Sequence, residues 1–207
     1  LKEKLQAKDL QALRRPVSSR AAEHLFWLGR YTERASFSLR LLLRAQLLLN
    51  EEEYLDTTTL GLLHELCGKQ GLSTEFDPAE PLTQDELEAN ILERLWYKTG
   101  MDEPAAVGLA GQLNGLANVA GQLRERLSSG HWRLLNDCAK VLIEPEWVRF
   151  QRSLPTNSLE QVQLYLLAMH GEQSDHMTRD NGWRFLQLGR QLERLCGACD
   201  CLLSPTS

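Results

Sequence analysis

The stretch LGRYTER, from Leu28 to Arg34, recurs as LGRQLER, from Leu188 to Arg194, shifted by 160 positions. Leu, Gly, Arg, Glu and Arg occupy the same places in both copies, and both copies lie in segments with helical periodicity. A glycine inside a helix weakens that helix by about 1 kcal/mol relative to alanine. Its recurrence among the same three charges indicates that another backbone approaches closely at Gly29 and at Gly189.

Outward from the two copies, helical periodicity continues along most of the chain, and no stretch alternates as a strand would. We predict a leader helix over Lys2–Leu13, a long helix from Ser18 or Ser19 to about Tyr54, and a last helix that is capped by Asp180. Between them we predict helices over 60–67, 84–98, 103–127, 129–142 and 158–169 and a short one from Pro145, with a loop over HGEQSDHMTRD. The total is eight or nine helices, which indicates an all-α multi-helix bundle.

Composition excludes several classes of protein. The 207 residues are 43% hydrophobic and 25% charged, which is typical of a globular protein, and the net charge of -5 argues against nucleic-acid binding. No apolar run reaches the roughly 20 residues of a membrane span. Five cysteines are an odd number without a secreted framework, so we expect a reduced, cytoplasmic setting.

A helical wheel divides each copy into two arcs, and the first arc is apolar. We predict that this arc faces the core in both helices, and that the cysteines on or beside it (Cys196 and Cys199) act as small hydrophobic residues and bind no metal. In the first copy the arc holds Leu25, Leu28, Thr32, Ala35, Leu39, Leu42 and Leu43; in the second it holds Phe185, Leu188, Leu192, Leu195, Cys199, Leu202 and Leu203.

The second arc carries the repeated charges, and two interpretations remain open for it. Charge along one side of a helix usually faces water, but the same arc also holds Phe26 and Leu186, which favours a packed surface with paired charges. The charged residues are Arg30, Glu33 and Arg34 in the first copy and Arg190, Glu193 and Arg194 in the second.

A packed arrangement predicts a pseudo-twofold crossing of the two helices at their glycines. Glu33 would then meet an arginine of the second copy, and Glu193 an arginine of the first. Each copy has one acid and two arginines, so positive charge is left over. The surplus could bind a carboxylate or a phosphate, because guanidinium groups match both geometries. Alternatively, other acids such as Glu23 or Asp200 neutralise it.

Other signs of chemistry are weak. The predicted loop HGEQSDHMTRD holds two histidines, His170 and His176, among three acids, but these residue types also cap helices and the histidines lack ligand spacing. No nucleophile elbow, phosphate-cradling glycine loop or Cys–His pairing is present. The sequence therefore predicts neither a cofactor nor a metal site.

The two motifs resemble those of the alpha-E domain, a bacterial all-helical domain named for its Glu-Arg motif. The resemblance rests on SSRAAEHLFWLGRYTERA, from Ser18 to Ala35, and on MTRDNGWRFLQLGRQLER, from Met177 to Arg194. It extends over residues 18–207, so residues 1–17 are expected to be a linker or leader helix from an upstream domain. The family's domain continues past the second Glu-Arg helix, which implies that its C-terminal part is absent from this chain.

The resemblance also implies a functional context. Alpha-E domains accompany circularly permuted ATP-grasp proteins, fused or neighbouring, and often a transglutaminase-like peptidase. ATP-grasp enzymes join carboxylates to amines. The expected function is therefore a non-catalytic accessory module of an amide or peptide ligase, which binds a carboxylate substrate or docks the enzyme. The alternative is an enzyme in its own right, with Glu33 or Glu193 as a base beside arginines.

Overall fold

The computed structural model of the protein describes residues 17–51, 55–96, 108–143 and 156–204. Within these ranges there are seven helices and no strand, which confirms the all-α class. The predicted helices over Lys2–Leu13 and from Pro145 lie outside the described residues, so the total of eight or nine stays a prediction. The helices are α1 (Ser19–Glu51), α2 (Thr57–Lys69), α3 (Gln84–Trp96), α4 (Gly108–Gly121), α5 (Ser129–Ile143), α6 (Thr156–Asp175) and α7 (Asn181–Leu203).

Three helices, α1, α5 and α7, begin at polar residues that the sequence indicated. The hydroxyl oxygen of Ser18 accepts a hydrogen bond from the backbone N–H of Ala21, at 3.2 Å, at the start of α1. Ser128 accepts one in the same way before α5, at 3.0 Å, and Asp180 accepts one from Trp183 before α7, also at 3.0 Å. These side chains satisfy backbone donors that have no partner in a first helical turn.

Two helix ends differ from expectation by about six residues. Helix α4 ends at Gly121, not near residue 127, because the next residues tighten into turns in which Gln122 donates to the carbonyl of Val119. Helix α6 runs on to Asp175, through the region that was predicted as a loop from His170. At its end the backbone N–H of His176 donates to the carbonyl of Glu172 at 3.0 Å.

Helix α1 lies at the centre of the bundle. It packs against α7 on one side and against α4 and α6 on the others, while α5 packs on α6. Helix α3 closes the C-terminal end of α1, where Gln84 donates to the carbonyl of Leu49 at 2.9 Å. In the part of the chain described by the structure, no helix is both long enough and apolar enough to cross a membrane.

Candidate functional site

The two repeated glycines lie where α1 and α7 touch. A Cβ atom built on Gly29 would lie 2.2 Å from the carbonyl oxygen of Leu186, and one built on Gly189 would lie 2.1 Å from that of Phe26. Both distances are far below any real contact of a Cβ atom. Glycine therefore permits the two backbones to come this close, which explains why two helices keep a residue that weakens them.

The contacts along this interface show that α1 and α7 run parallel. Gly182 lies beside Leu25 near the start of the contact, and Gly197 lies beside Phe37, about two turns beyond the central glycines. Residue numbers therefore rise together on both helices. Gly29 approaches the carbonyl oxygen of Leu186, and Gly189 approaches that of Phe26. The two contacts are equivalent, because Leu186 lies 160 positions after Phe26, just as Gly189 lies 160 positions after Gly29.

One carboxylate of the network, that of Glu193 on α7, lies between two arginines of α1. The Nε atom of Arg30 donates a short hydrogen bond to Oε2 of Glu193. The Nε atom of Arg34 donates to Oε1 at 2.6 Å, and its Nη2 atom donates to Oε2 at 3.3 Å. The guanidinium of Arg30 also lies over the rings of Phe26 and Trp27, at 5.9 and 5.7 Å from their centroids.

The other carboxylate, that of Glu33 on α1, lies between two arginines of α7. Nε of Arg194 is 2.8 Å from Oε1 of Glu33, whereas Nε of Arg190 is 3.7 Å from Oε2. This second cluster is looser, because Oε2 of Glu33 and Nε of Arg190 are both buried and have no hydrogen-bond partner. Burial lowers the pKa of Arg190, and the hydrogen bond to Glu33 raises the pKa of Arg194.

His170 on α6 joins the looser cluster, which no sequence pattern indicated. Its Nδ1 atom accepts a hydrogen bond from Nη2 of Arg190 at 2.7 Å. Burial, reinforced by the charge of Arg190, lowers the pKa of His170 to about 4, so the ring is neutral near pH 7. An accepting Nδ1 assigns the ring proton to Nε2, which is buried without a partner.

The network has more positive than negative charge. Four arginines surround two carboxylates, which leaves a formal surplus of two positive charges. Among the described residues, neither Glu23 nor Asp200 forms an ion pair with these arginines, and Asp200 accepts a hydrogen bond from Gln70 at 3.1 Å. The side chains of the outer arginines, Arg34 and Arg194, are 34% and 48% exposed, so part of this charge reaches solvent.

The prediction that the apolar arc of α7 faces the core is wrong. In α1 the corresponding side chains are buried, or half-buried in the case of Leu43, because α4 and α6 cover them. Helix α7 lies at the outside of the bundle and packs on α1 through its glycine-and-charge arc. All seven predicted core residues of this arc are exposed: Phe185, Leu188, Leu192, Leu195, Cys199, Leu202 and Leu203.

The cysteines and the cavity beside α1 lie outside the Arg-Glu network. Cys196 and Cys199 are exposed, and so do not pack as buried small hydrophobic residues. The residues that the structure describes contain no group of three or more His, Cys, Asp or Glu side chains that could hold a metal ion. A cavity of about 420 Å³ between α1 and α6 is lined by Arg40 and Arg44, and by no residue of the Arg-Glu network.

Comparison with known proteins places the chain in a family. The chain is 24% identical, over 186 residues, to uncharacterised proteins of Mycobacterium bovis and of two strains of Mycobacterium tuberculosis. The matches cover 86% of this chain but 21% of each relative, so the chain spans about a fifth of their length. No solved structure matches. The family model Alpha-E, "a predicted alpha-helical domain with a conserved ER motif", matches residues 17–205, and the chain therefore belongs to the Alpha-E family.

Proposed function

We propose that this chain is a non-catalytic helical module that acts with an ATP-grasp-type amide or peptide ligase and binds a carboxylate of the substrate or of the partner enzyme. The observation that carries the proposal is the ratio of four arginines to two carboxylates, with Arg34 and Arg194 partly open to solvent. A guanidinium that is already fixed by one carboxylate can offer its remaining N–H groups to a second, with little further loss of side-chain freedom.

Arg194 is the better candidate to meet the ligand. It uses Nε to bind Glu33, its side chain is nearly half exposed, and the neighbouring contact between Glu33 and Arg190 is long. An external carboxylate that is held by Arg194 would balance charge in the looser of the two clusters. We therefore propose that the carboxylate binds on the Arg194 side of the interface. We also propose that α1 and α7 are a pseudo-symmetric pair of helices, and that one of their two Arg-Glu clusters is specialised for binding.

The alternative, an enzyme that uses Glu33 or Glu193 as a base, has less support. A general base must come within hydrogen-bond reach of the proton that it removes. The side chains of Glu33 and Glu193 are 3% and 9% exposed, and both carboxylates are turned towards arginines of the opposite helix. Protein that converts a peptide substrate without any partner would favour this alternative.

The proposed partner is a circularly permuted ATP-grasp protein, fused or neighbouring, with a transglutaminase-like peptidase as a second candidate. The length of the mycobacterial relatives, of which this chain spans 21%, leaves ample room for further domains in those proteins. We further propose a cytoplasmic location, because ATP-dependent ligation takes place where ATP is abundant and because the five cysteines are free.

Binding of a carboxylate is tested by a calorimetric titration of the full chain with a short glutamate-rich peptide. We expect Arg194→Gln to weaken binding about tenfold and Arg194→Lys to weaken it less, since lysine keeps the positive charge but loses the planar guanidinium group that donates two hydrogen bonds to one carboxylate. Arg20→Gln is the matched control, because Arg20 is exposed on α1 outside the network. Equal affinities for Arg194→Gln and Arg20→Gln, in variants that remain folded, would refute the carboxylate site.

The accessory role is tested separately, with a candidate ATP-grasp ligase and its carboxylate substrate. Addition of the chain should lower the KM of the ligase for that substrate, and Arg194→Gln should remove this effect. A chain that leaves both KM and kcat unchanged for every neighbouring ligase would contradict the accessory role, whatever the outcome of the peptide titration.

A further inference from the structure

The outer face of α7 carries an apolar stripe with the spacing of a coiled-coil seam. Its six residues are separated by three, four, three, four and three positions, the repeat that keeps side chains on one line along paired helices. The five large side chains are between 38% and 83% exposed. The seam residues are Phe185, Leu188, Leu192, Leu195, Cys199 and Leu202.

This seam is unusual for a surface. Scattered single apolar residues are normal on a protein, but a continuous row over five turns marks a contact surface. On α1 the residues 160 positions earlier form the same row, and every one of them is fully buried. The pattern therefore belongs to a helix that is covered on both sides, and within the described residues α7 is covered on one.

We propose that the seam of α7 pairs with α7 of a second copy of this chain, in antiparallel orientation. The occupant is inferred from how the seam matches itself. When two copies are aligned about the midpoint between Leu192 and Leu195, each of these residues faces the other across the dimer axis. The next layer sets Leu188 against the small Cys199, and the outer layer sets Phe185 against Leu202, so each layer joins side chains of compatible size.

Charge favours the antiparallel orientation. The last turn of α7 has no basic residue of its own, and Lys69 of α2, which donates to the hydroxyl of Ser204 at 3.1 Å, is also paired with Glu65, so the partial negative charge of the helix C-terminus is only partly compensated. Arg184, exposed in the first turn, would lie beside that terminus of an antiparallel partner. A parallel pair would instead bring the two Arg184 side chains together and align the two helix dipoles.

Each copy also has a cavity beside the start of its seam, which could take a side chain of the other copy. Its volume is about 550 Å³, and it lies between the start of α1 and α7, where Val17, Ala22 and Phe26 face Phe185. In the antiparallel pair this cavity is level with the partner's last helical turn. Leu203, which is 76% exposed, is then the side chain that would fill it.

The test is the oligomeric state of the full chain, measured by sedimentation equilibrium. We expect a dimer whose dissociation constant rises at least about tenfold in the variant L192E/L195E. Both leucines lie opposite the interface with α1, so the variant should keep its helix content. The matched control is L164E/L167E on α6, where two leucines are 65% and 58% exposed outside the seam, and it should dimerise as the wild type does.

Orientation is tested by disulfide trapping. The variant Leu188→Cys should form a covalent dimer with the native Cys199 of the other copy, and the added change Cys199→Ser should abolish that dimer. A wild-type dimer that is crosslinked through Cys199 alone would refute the antiparallel arrangement. A chain that is monomeric throughout, or a dimer that is unaffected by L192E/L195E, would overturn the proposal and leave the seam to a helix of another protein.

Discussion

Replacement of Gly29 by alanine tests the closest contact in the molecule. The added Cβ would lie 2.2 Å from the carbonyl oxygen of Leu186, whereas ordinary contact begins near 3.4 Å. That oxygen belongs to the backbone of a helix and cannot rotate away. The variant must therefore push α1 and α7 apart by roughly 1 Å, which loosens every ion pair between them.

The expected cost follows from two opposing effects. Overpacking costs about 1–3 kcal/mol, and a rigid backbone neighbour places this site at the upper end. Alanine returns at most about 1 kcal/mol through its higher helix propensity. The net loss is about 2 kcal/mol, or about 4–8 °C in Tm for a chain of this size. Gly189→Ala should lose a similar amount, since its Cβ would meet the carbonyl of Phe26.

Gly171→Ala is the matched control. Gly171 lies inside α6, and a Cβ atom there would meet nothing within 4 Å. This variant should gain up to about 1 kcal/mol from helix propensity alone. Urea denaturation followed by circular dichroism measures all three. A Gly29→Ala variant that gains stability as Gly171→Ala does would show that the two helices do not approach as described.

Three further predictions concern buried groups. Glu33→Gln should cost about 3 kcal/mol in urea denaturation, because it leaves the buried Arg190 without its carboxylate, and an unchanged midpoint would contradict this. Burial lowers the pKa of His131 from 6.5 to about 4. The neutral ring therefore leaves stability unaffected above pH 6.5, and the free energy of unfolding falls by up to about 3 kcal/mol as the pH drops towards 4, because the unfolded chain binds the proton more readily. His131→Gln should remove this part of the pH dependence of stability. Burial raises the pKa of Cys67 and Cys138 to about 12, so in the folded protein a thiol reagent should modify the three exposed cysteines and leave these two until urea is added.

The sequence was sufficient for the helices because their signals are local. Caps such as Ser128 and Asp180, and periodic apolar residues, act within a few positions and can be recognised without knowledge of the fold. The extension of α6 past His170 was missed, since polar residues that suit a loop also suit an exposed helical turn. His170 itself became part of the network through its position on a third helix, which no local pattern encodes.

The side of α7 that faces inward could not be predicted for a different reason. Both arcs of this helix have features of an interior surface, one through its leucines and the other through its glycine and paired charges. Burial depends on how many neighbours a helix has, which is a property of the bundle. Helix α1 has enough neighbours to cover both arcs, while the described residues cover one arc of α7, so equivalent positions such as Leu28 and Leu188 have opposite exposure.

The spacing of the repeated motif explains how two parallel helices keep their register. Parallel helices place like ends of their dipoles side by side, so their alignment must come from side chains and close backbone contacts. Arg30 and Arg34 lie one turn apart and hold Glu193 between them, and Arg190 and Arg194 stand in the same relation to Glu33. A slip by one turn would leave each carboxylate with one arginine, and would move Gly29 away from the carbonyl that it accommodates. Because a buried charge without its partner costs several kcal/mol, the motif disfavours every register but the observed one. Each cluster has a surplus arginine because each carboxylate is held by two arginines, one on either side. A binding site for an external carboxylate could have arisen from this structural role.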